Sequence, residues 1–210
     1  MGTDTSVFTR AGCARVVRYA FALARERAAR HPVCVTKSNA LRHGMVLWDE
    51  VFDGVAQNYP DLTTERVLVD AMTARMVTDP SSIDTVVATN LHADIQSDLA
   101  AALTRSLGLA PTANLHPKRR FPSMFEPIHG SGHDIAGQGS PNPVGALWSA
   151  ALLLSNLGES AAGDRLVRAI ERALAHGVRA PDLGGNAGTR DMAEAVKQAL
   201  AQRDDQGTTS

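Results

Sequence analysis

The sequence predicts an α/β domain, because short apolar segments alternate with segments of helical periodicity along its first half. Three apolar segments, residues 33–36, 67–69 and 86–88, each end in a polar side chain and lead into a helical segment. Sheets of this class bind ligands outside the carboxyl ends of their strands. The polar residues at those ends are therefore the first candidates for a site: Lys37, Asp70, Thr89 and Asn90.

The helical segments complete this α/β pattern. Apolar positions recur at helical spacing over residues 11–29, and Pro32 ends that pattern before the first strand. Asn142 and Pro143 predict a helix start, with Asn142 as the N-cap and Pro143 as the first helical residue. Thr189 is expected to cap the last helix. Further helices are predicted over residues 44–58, 91–107, 143–157, 161–176 and 189–203.

Residues 108–143 differ in character from the rest of the chain. Pro, Gly, His and Ser dominate this stretch and no periodic segment occurs in it, which predicts a long loop. Loops of this length are uncommon in a compact domain unless they carry function. Residues 203–210 form a polar tail that we expect to fray.

Composition and charge exclude several classes of protein. The 210 residues are 44% hydrophobic and 20% charged, which suits the core of one ordinary domain or two small ones, and excludes a disordered chain. The formal net charge of −1 argues against a nucleic-acid or anionic-membrane binder. The longest apolar run, residues 146–157, is too short to cross a bilayer, and the N-terminus lacks the features of an export signal. We therefore expect a cytoplasmic protein.

Cysteine and lysine usage each single out a few residues. Cys13 and Cys34 are too few for a disulfide framework and lack metal-ligand spacing, so we expect two reduced thiols. Of the 21 basic residues, only Lys37, Lys118 and Lys197 are lysine. A buried amine can lose its proton, whereas a guanidinium effectively cannot. Lys37, at a strand end, is therefore a candidate catalytic amine, and the alternative is an ordinary surface lysine.

Asp94 and Asp98 are the candidates for a metal site. Because they lie four residues apart on a predicted helix, their carboxylates share one face and repel each other unless a cation lies between them. Mg²⁺ and Mn²⁺ prefer hard oxygen ligands of this kind. Asp70, at the end of another strand, is the candidate third ligand. The alternative is a pair of solvated surface charges.

A glycine-rich segment, residues 126–137, is the candidate ligand loop. Its small residues let the backbone approach a ligand closely, and His129 and Asp134 can bind sugar hydroxyls or a phosphate. The segment is not the G-x-G-x-x-G fingerprint and is not expected to follow a strand, so it is no Rossmann turn. Taken alone, it is no more than a glycine-rich loop.

Four segments, in order along the chain, carry a resemblance to known enzymes. They are residues 35–40 (VTKSNA), 69–72 (VDAM), 89–98 (TNLHADIQSD) and 125–131 (FEPIHGS). Together they resemble the motifs of the metal-dependent β-decarboxylating dehydrogenases of the isocitrate and isopropylmalate dehydrogenase family. Residues 42–50 and 71–75 are most similar to the tartrate and D-malate dehydrogenase branch.

The resemblance implies a role for each matching residue. Lys37 matches a lysine that helps deprotonate the substrate hydroxyl, usually across a dimer interface, and Asn39 matches a residue near the nicotinamide and the substrate. The matches to ligands of Mg²⁺ or Mn²⁺ are Asp94, Asp98 and Asp70, the last commonly contributed by the neighbouring subunit. The adenosine side of an NAD site is matched by His129, Gly130, Ser131, Asp134, Ile135 and Asn142. The carboxylate of Asp134 favours NAD, because it accepts hydrogen bonds from ribose hydroxyls and repels the extra phosphate of NADP.

The resemblance also implies a truncated isopropylmalate-dehydrogenase-like α/β fold that lacks the N-terminal part. Residues 1–107 then form the central, dimerisation part with the lysine and metal-ligand motifs. Residues 108–210 form the C-terminal part of the cofactor domain with the adenosine-binding loop. The arginines that clamp the substrate and the tyrosine that protonates the enolate have no match in this chain.

Three functions are consistent with these residues. The first is NAD- and Mg²⁺- or Mn²⁺-dependent oxidative decarboxylation of a D-malate- or tartrate-like 2-hydroxy acid. The second is non-redox metal-dependent chemistry, as a decarboxylase, lyase or cyclase. The third is a half-enzyme subunit that needs a partner chain to supply the missing half. We expect a small anionic substrate and a homodimer or larger homo-oligomer, because absent strands leave open sheet edges and bare apolar surface. Neither nucleic acid nor a membrane is an expected partner.

Overall fold

The computed structural model describes residues 1–104 and 106–202, so the predicted frayed tail at 203–210 lies outside the described residues. The chain divides into two compact units, Met1–Ala100 and Ala101–Ser210. The functional division proposed after residue 107 stays a prediction. Among the described residues, no helix combines the length and the apolar character that a membrane span requires.

A three-stranded parallel sheet forms the centre of the first unit. Its strands are β1 (Pro32–Thr36), β2 (Glu65–Leu68) and β3 (Thr85–Val87), in the order β2-β1-β3. The middle strand, β1, is buried along its whole length, with Val35 opposite Val67 and Cys34 opposite Val87. Because the strands are parallel, the residues that follow them lie at one edge of the sheet.

Helices cover both faces of this sheet. They are α1 (Arg10–Glu26), α2 (Gly44–Ala56) and α3 (Val69–Thr78), and a further helix, α4 (Asn90–Leu103), begins after β3. Cys34 packs in a cluster with α1 and α2 that includes Phe21 and Phe52, whereas Val33 and Val35 pack with Met72 of α3. This alternation follows from the pleat of β1, whose successive side chains point to opposite faces. Burial on both faces also explains the continuous apolar run of β1 in the sequence.

The second unit combines a two-stranded antiparallel sheet with three helices. Strand β4 (Pro111–Asn114) pairs with β5 (Met124–Pro127), and the helices are α5 (Val144–Leu157), α6 (Ser160–Ala175) and α7 (Thr189–Ala201). The helices enclose a core that includes Val144, Ile170, Met192 and Val196. Helices α5 and α6 approach closely at Gly163, where a Cβ atom would lie 2.8 Å from the carbonyl oxygen of Ala151.

The prediction of an uninterrupted loop over 108–143 is wrong, because β4 and β5 lie within it. Each strand has only four residues and is half-buried at most, so neither presents an apolar run, and prolines stand at Pro111 and Pro127. The glycine-rich segment therefore does follow a strand, contrary to expectation, since β5 leads into it. The α/β class and the first three strands are confirmed, except that Val69 begins α3 instead of ending β2 and Ala88 lies just beyond β3.

Two predicted helix starts also differ in detail. Helix α5 begins at Val144, and Pro143 occupies the cap position, although the Oδ1 atom of Asn142 does accept a hydrogen bond from the Val144 N–H at 3.0 Å. Thr189 does not cap α7; Gly188 is the cap residue, and its N–H donates to Asp191 Oδ2 at 3.0 Å. The Thr189 hydroxyl instead donates to the carbonyl oxygen of Pro141 at 2.5 Å.

Both cysteines are expected to be unreactive in the folded protein. Cys34 is 0% exposed and Cys13 is 6% exposed. Burial, with a smaller effect of the Asp49 carboxylate, raises the pKa of the Cys34 thiol to about 12. Because the thiolate is the reactive form, the native protein should release no thionitrobenzoate from Ellman's reagent near neutral pH, whereas the denatured chain should release two equivalents. Prompt release of one equivalent from the native protein would contradict the burial of that thiol.

Candidate active site

Lys37 and Asp70 form an ion pair at the carboxyl edge of the parallel sheet. Lys37 follows β1, and Asp70 lies in the first turn of α3, which follows the neighbouring strand β2. The two side chains meet because these strands are adjacent, and Lys37 Nζ lies 2.5 Å from Asp70 Oδ1. The hydrogen bond from the Lys37 ammonium holds the pKa of the Asp70 carboxyl below its usual range. Two residues singled out from the sequence are thus brought together.

A hydrogen bond to helix α2 holds the turn that carries Lys37 in place. The Ser38 hydroxyl donates to Asp49 Oδ2 at 2.7 Å, and the Leu41 N–H donates to the Lys37 carbonyl oxygen at 2.9 Å. Asp49 is only 9% exposed, and Arg66 Nη1 lies 3.7 Å from Asp49 Oδ2. A buried carboxylate therefore constrains the segment that presents Lys37 and, two residues on, the exposed Asn39.

Asp49 was not predicted from the sequence. The available signal was a single carboxylate at a core-facing position of the apolar α2 segment, where an aliphatic side chain is usual. Its Oδ1 atom is buried and has no hydrogen-bond partner within residues 1–104 and 106–202.

Asp94 and Asp98 lie on the exposed face of α4, one turn apart. The opposite face is buried through His92 and Gln96, and Gln96 Nε2 donates to the Val69 carbonyl oxygen at 3.3 Å. This contact places α4 beside the start of α3. Across the described part of the chain, however, no three His, Cys, Asp or Glu side chains are grouped so that they could hold a metal ion. Within one chain, therefore, Asp94 and Asp98 share a helix face, but Asp70 is not grouped with them.

The predicted adenosine residues partly converge on a pocket in the second unit. His129, Ile135 and Asn142 line a cavity of about 460 Å³, together with Gly132. Gly130, Ser131 and Asp134 belong to the same loop but do not line the cavity. Gly130 and Gly132 have φ values of 66° and 51°, in the left-handed region that favours glycine, so the loop depends on them for its path.

Asp182 organises the wall of this pocket and was missed in the sequence. The Asn142 amide Nδ2 donates to Asp182 Oδ2 at 3.0 Å, and the Ser106 hydroxyl donates to the same oxygen. Ser106 Oγ also accepts from the Gly108 N–H at 2.9 Å, so this hydroxyl links the backbone of Gly108 to the Asp182 carboxylate. The carboxylate thereby fixes the orientation of the Asn142 amide. The surrounding Pro-Asp-Leu-Gly-Gly sequence indicated only a turn.

The chain belongs to the family described as isocitrate/isopropylmalate dehydrogenase, whose model matches residues 1–196. It is 56% identical over 201 residues to a probable tartrate dehydrogenase/decarboxylase, TtuC', of Agrobacterium vitis, covering 96% of this chain and 56% of that protein. It is 44% identical over 196 residues to the D-malate dehydrogenase [decarboxylating] of Escherichia coli K12, covering 91% and 54%. The family resemblance of the sequence motifs is confirmed.

A solved structure supports the same fold. The isocitrate dehydrogenase from Methylococcus capsulatus superposes with a TM-score of 0.90 at 37% identity, covering 95% of this chain and 59% of that one. The chain therefore has the α/β fold of this family over the matched part. It spans about half the length of the curated relatives it matches.

Proposed function

We propose that this chain is a cytoplasmic subunit of a homodimer or larger homo-oligomer that oxidatively decarboxylates a D-malate- or tartrate-like 2-hydroxy acid, using NAD and Mg²⁺ or Mn²⁺. The observation that carries the proposal is the pairing of the Lys37 amine with the Asp70 carboxylate at the sheet edge. The names of two relatives, a probable tartrate dehydrogenase/decarboxylase and a D-malate dehydrogenase, support the substrate class.

The metal proposal rests on the donor set of α4. Asp94 and Asp98 offer exposed carboxylates on one helix face, and such hard oxygen donors fit Mg²⁺ or Mn²⁺. Among the described residues of one chain, Asp70 is not grouped with these two carboxylates. We therefore assign the third carboxylate to Asp70 of a second copy, which makes the oligomer necessary for a complete site. When bound, the ion would polarise the 2-oxygen of the substrate and stabilise negative charge on it.

Lys37 supplies the proton acceptor in this proposal. Its Nζ atom would take the proton of the substrate 2-hydroxyl, and NAD, when bound, would supply the hydride acceptor. Asp70, 2.5 Å from Nζ, then stabilises the ammonium that forms. The Ser38–Asp49 hydrogen bond keeps the Lys37 turn in place during this transfer.

We assign the cavity of the second unit to the adenosine half of NAD. Ile135, Pro141 and Leu107 provide apolar walls for a flat base, and Asn142, held by Asp182, provides an oriented amide. The loop that contains His129, Gly130 and Ser131 lies beside this cavity. We assign Asp134 to the ribose hydroxyls, where its charge disfavours the extra phosphate of NADP. Asn39 is assigned to the nicotinamide end.

The proposed function is tested by following NADH absorbance with the purified chain, NAD and Mn²⁺ over D-malate, tartrate and isopropylmalate. We expect NADH to form with D-malate or tartrate. Asp94→Asn changes a proposed Mn²⁺ ligand. Loss of a residue that only orients a metal ligand already costs roughly 10–100-fold in affinity, so we expect Mn²⁺ binding to weaken by at least this factor and the rate of NADH formation to fall. Mn²⁺ binding itself is read by electron paramagnetic resonance.

Asp164→Asn is the matched control, because Asp164 is an exposed carboxylate on α6. The Asp164→Asn variant should bind Mn²⁺ as tightly as the parent chain and form NADH at the same rate. A flat NADH trace from folded protein with every acid would contradict the redox proposal. Equal Mn²⁺ affinities for the two Asn variants would contradict the metal assignment.

A further inference from the structure

A second cavity, of about 840 Å³, lies in the first unit at the carboxyl edge of the parallel sheet. It is lined by residues 4 and 6–8, by residues 40–45 at the start of α2, and by residues 89–92 at the start of α4. None of the residues assigned above to the metal or to proton transfer lines it. The N-terminal segment is seated here because the Phe8 ring packs on Gly44, where a Cβ atom would overlap it.

Two helices begin at this cavity. In α2 the first intrahelical bond runs from the Leu47 N–H to the His43 carbonyl oxygen, and in α4 the Ala93 N–H donates to the Thr89 carbonyl oxygen. The N–H groups of the first turns therefore have no acceptor within their helices. Neither first turn contains an acidic side chain, and the His43 side chain makes no capping bond. The positive ends of two helix dipoles thus meet at one cavity.

His92 is an independent sign of a ligand at this place. Its imidazole lines the cavity and is only 8% exposed. Its Nδ1 atom is buried and has no hydrogen-bond partner in the described part of the chain. A buried imidazole nitrogen without a partner is costly unless a ligand satisfies it.

The charged side chains of the cavity favour an anion. Arg42 is exposed and forms no ion pair within residues 1–104 and 106–202. Among the described lining residues, Asp4 is the carboxylate that opposes it, and Asp4 lies on the exposed N-terminal segment. The two helix N-termini add further positive potential. Leu41 and Met45 contribute apolar wall, which fits the carbon skeleton of a small organic ligand.

We propose that this cavity is a binding site for a multiply charged oxyanion, held by the N–H groups at the starts of α2 and α4, by Arg42 and by His92. The anion is a phosphate or carboxylate group of a small molecule, since helix N-termini bind both. The site is separate from the residues assigned to catalysis, and the proposal does not depend on dehydrogenase activity.

Isothermal titration of the full chain with inorganic pyrophosphate, inorganic phosphate and D-malate, at low salt and without NAD or metal, tests this site. We expect saturable binding of at least one anion. Loss of a charge-assisted hydrogen bond in Arg42→Ala should weaken that binding about tenfold or more. Asp4→Asn should tighten it, because the opposing charge is removed. If pyrophosphate binds more tightly than D-malate, the natural ligand group is a phosphate. If D-malate binds more tightly, it is a carboxylate.

Arg15→Ala is the matched control, because Arg15 is an exposed arginine of α1 that does not line the cavity. Thermal melts by circular dichroism establish that each variant is folded. His92→Phe, which removes the unpartnered nitrogen at similar volume, should also weaken binding. Absence of saturable binding for all three anions overturns the proposal. The proposal is also overturned if Arg42→Ala and Arg15→Ala weaken anion binding equally.

Discussion

Replacing Lys37 by alanine should lower the rate of NADH formation by about 100- to 10,000-fold, the usual contribution of a positioned acid–base group. The amine lies at the end of a fully buried strand and pairs with Asp70 at 2.5 Å, so its position is set by the sheet. No other lysine is available nearby in the sequence, because the remaining two are Lys118 and Lys197. The measurement is kcat with the acid that gives the highest rate, over a range of pH.

Lys37→Arg separates proton transfer from structural support. Arginine keeps a positive charge that can pair with Asp70, but its guanidinium effectively never loses a proton. We expect Lys37→Arg to fold like the parent chain and to stay as inactive as Lys37→Ala. Lys197→Ala, at an exposed position of α7, should retain full activity. Recovery of activity in Lys37→Arg would show that Lys37 only holds Asp70 in place.

Replacing Phe52 by alanine should lower the free energy of unfolding by about 3–5 kcal/mol, the cost of deleting a buried aromatic ring. Phe52 is 1% exposed, and its ring centroid lies 5.1 Å from that of the fully buried Phe21. Phe21 in turn contacts Tyr59 at 5.1 Å, so the cavity would open inside a continuous aromatic cluster between α1 and α2. Urea denaturation followed by tryptophan fluorescence measures the loss.

A Trp148→Phe background makes this measurement specific to the first unit, because the sequence contains two tryptophans and Trp48 is then the only one. Trp48 is 2% exposed and packs in the same cluster as Phe52. Val77→Ala is the control. Val77 lies on α3 of the same unit and is 59% exposed, and such surface changes usually stay within about 0.5 kcal/mol. A loss for Phe52→Ala as small as that of the control would contradict the assigned core.

Local patterns in the sequence were sufficient to predict the elements of the first unit. Helix α1 buries one face, which gives apolar residues at helical spacing, and strand β1 is buried on both faces, which gives a continuous apolar run. Strands β4 and β5 leave no such trace, because the antiparallel pairing of short, half-exposed segments depends on backbone hydrogen bonds and does not require an apolar side-chain pattern.

The same distinction applies to the site residues. Lys37 and Asp70 could be predicted to meet, because each lies just beyond the end of a parallel strand. The contact of Asn142 with Asp182 could not be predicted, since it joins turns far apart in sequence that carry no shared pattern. The Ser38–Asp49 bond was missed for the same reason: it links a loop to one polar position of an apolar helix.

The order β2-β1-β3 also constrains how the first unit folds. Parallel strands cannot pair through a tight hairpin, and Val33 must find Glu65 on one side and Val86 on the other, both distant in sequence. Closing such long loops slows folding, whereas helices form rapidly from local contacts. Refolding should therefore recover helical signal before the strands align. The Lys37–Asp70 pair exists only after β1 and β2 have joined, so the arrangement proposed for proton transfer forms late in folding and is lost in any partly folded form that keeps only its helices.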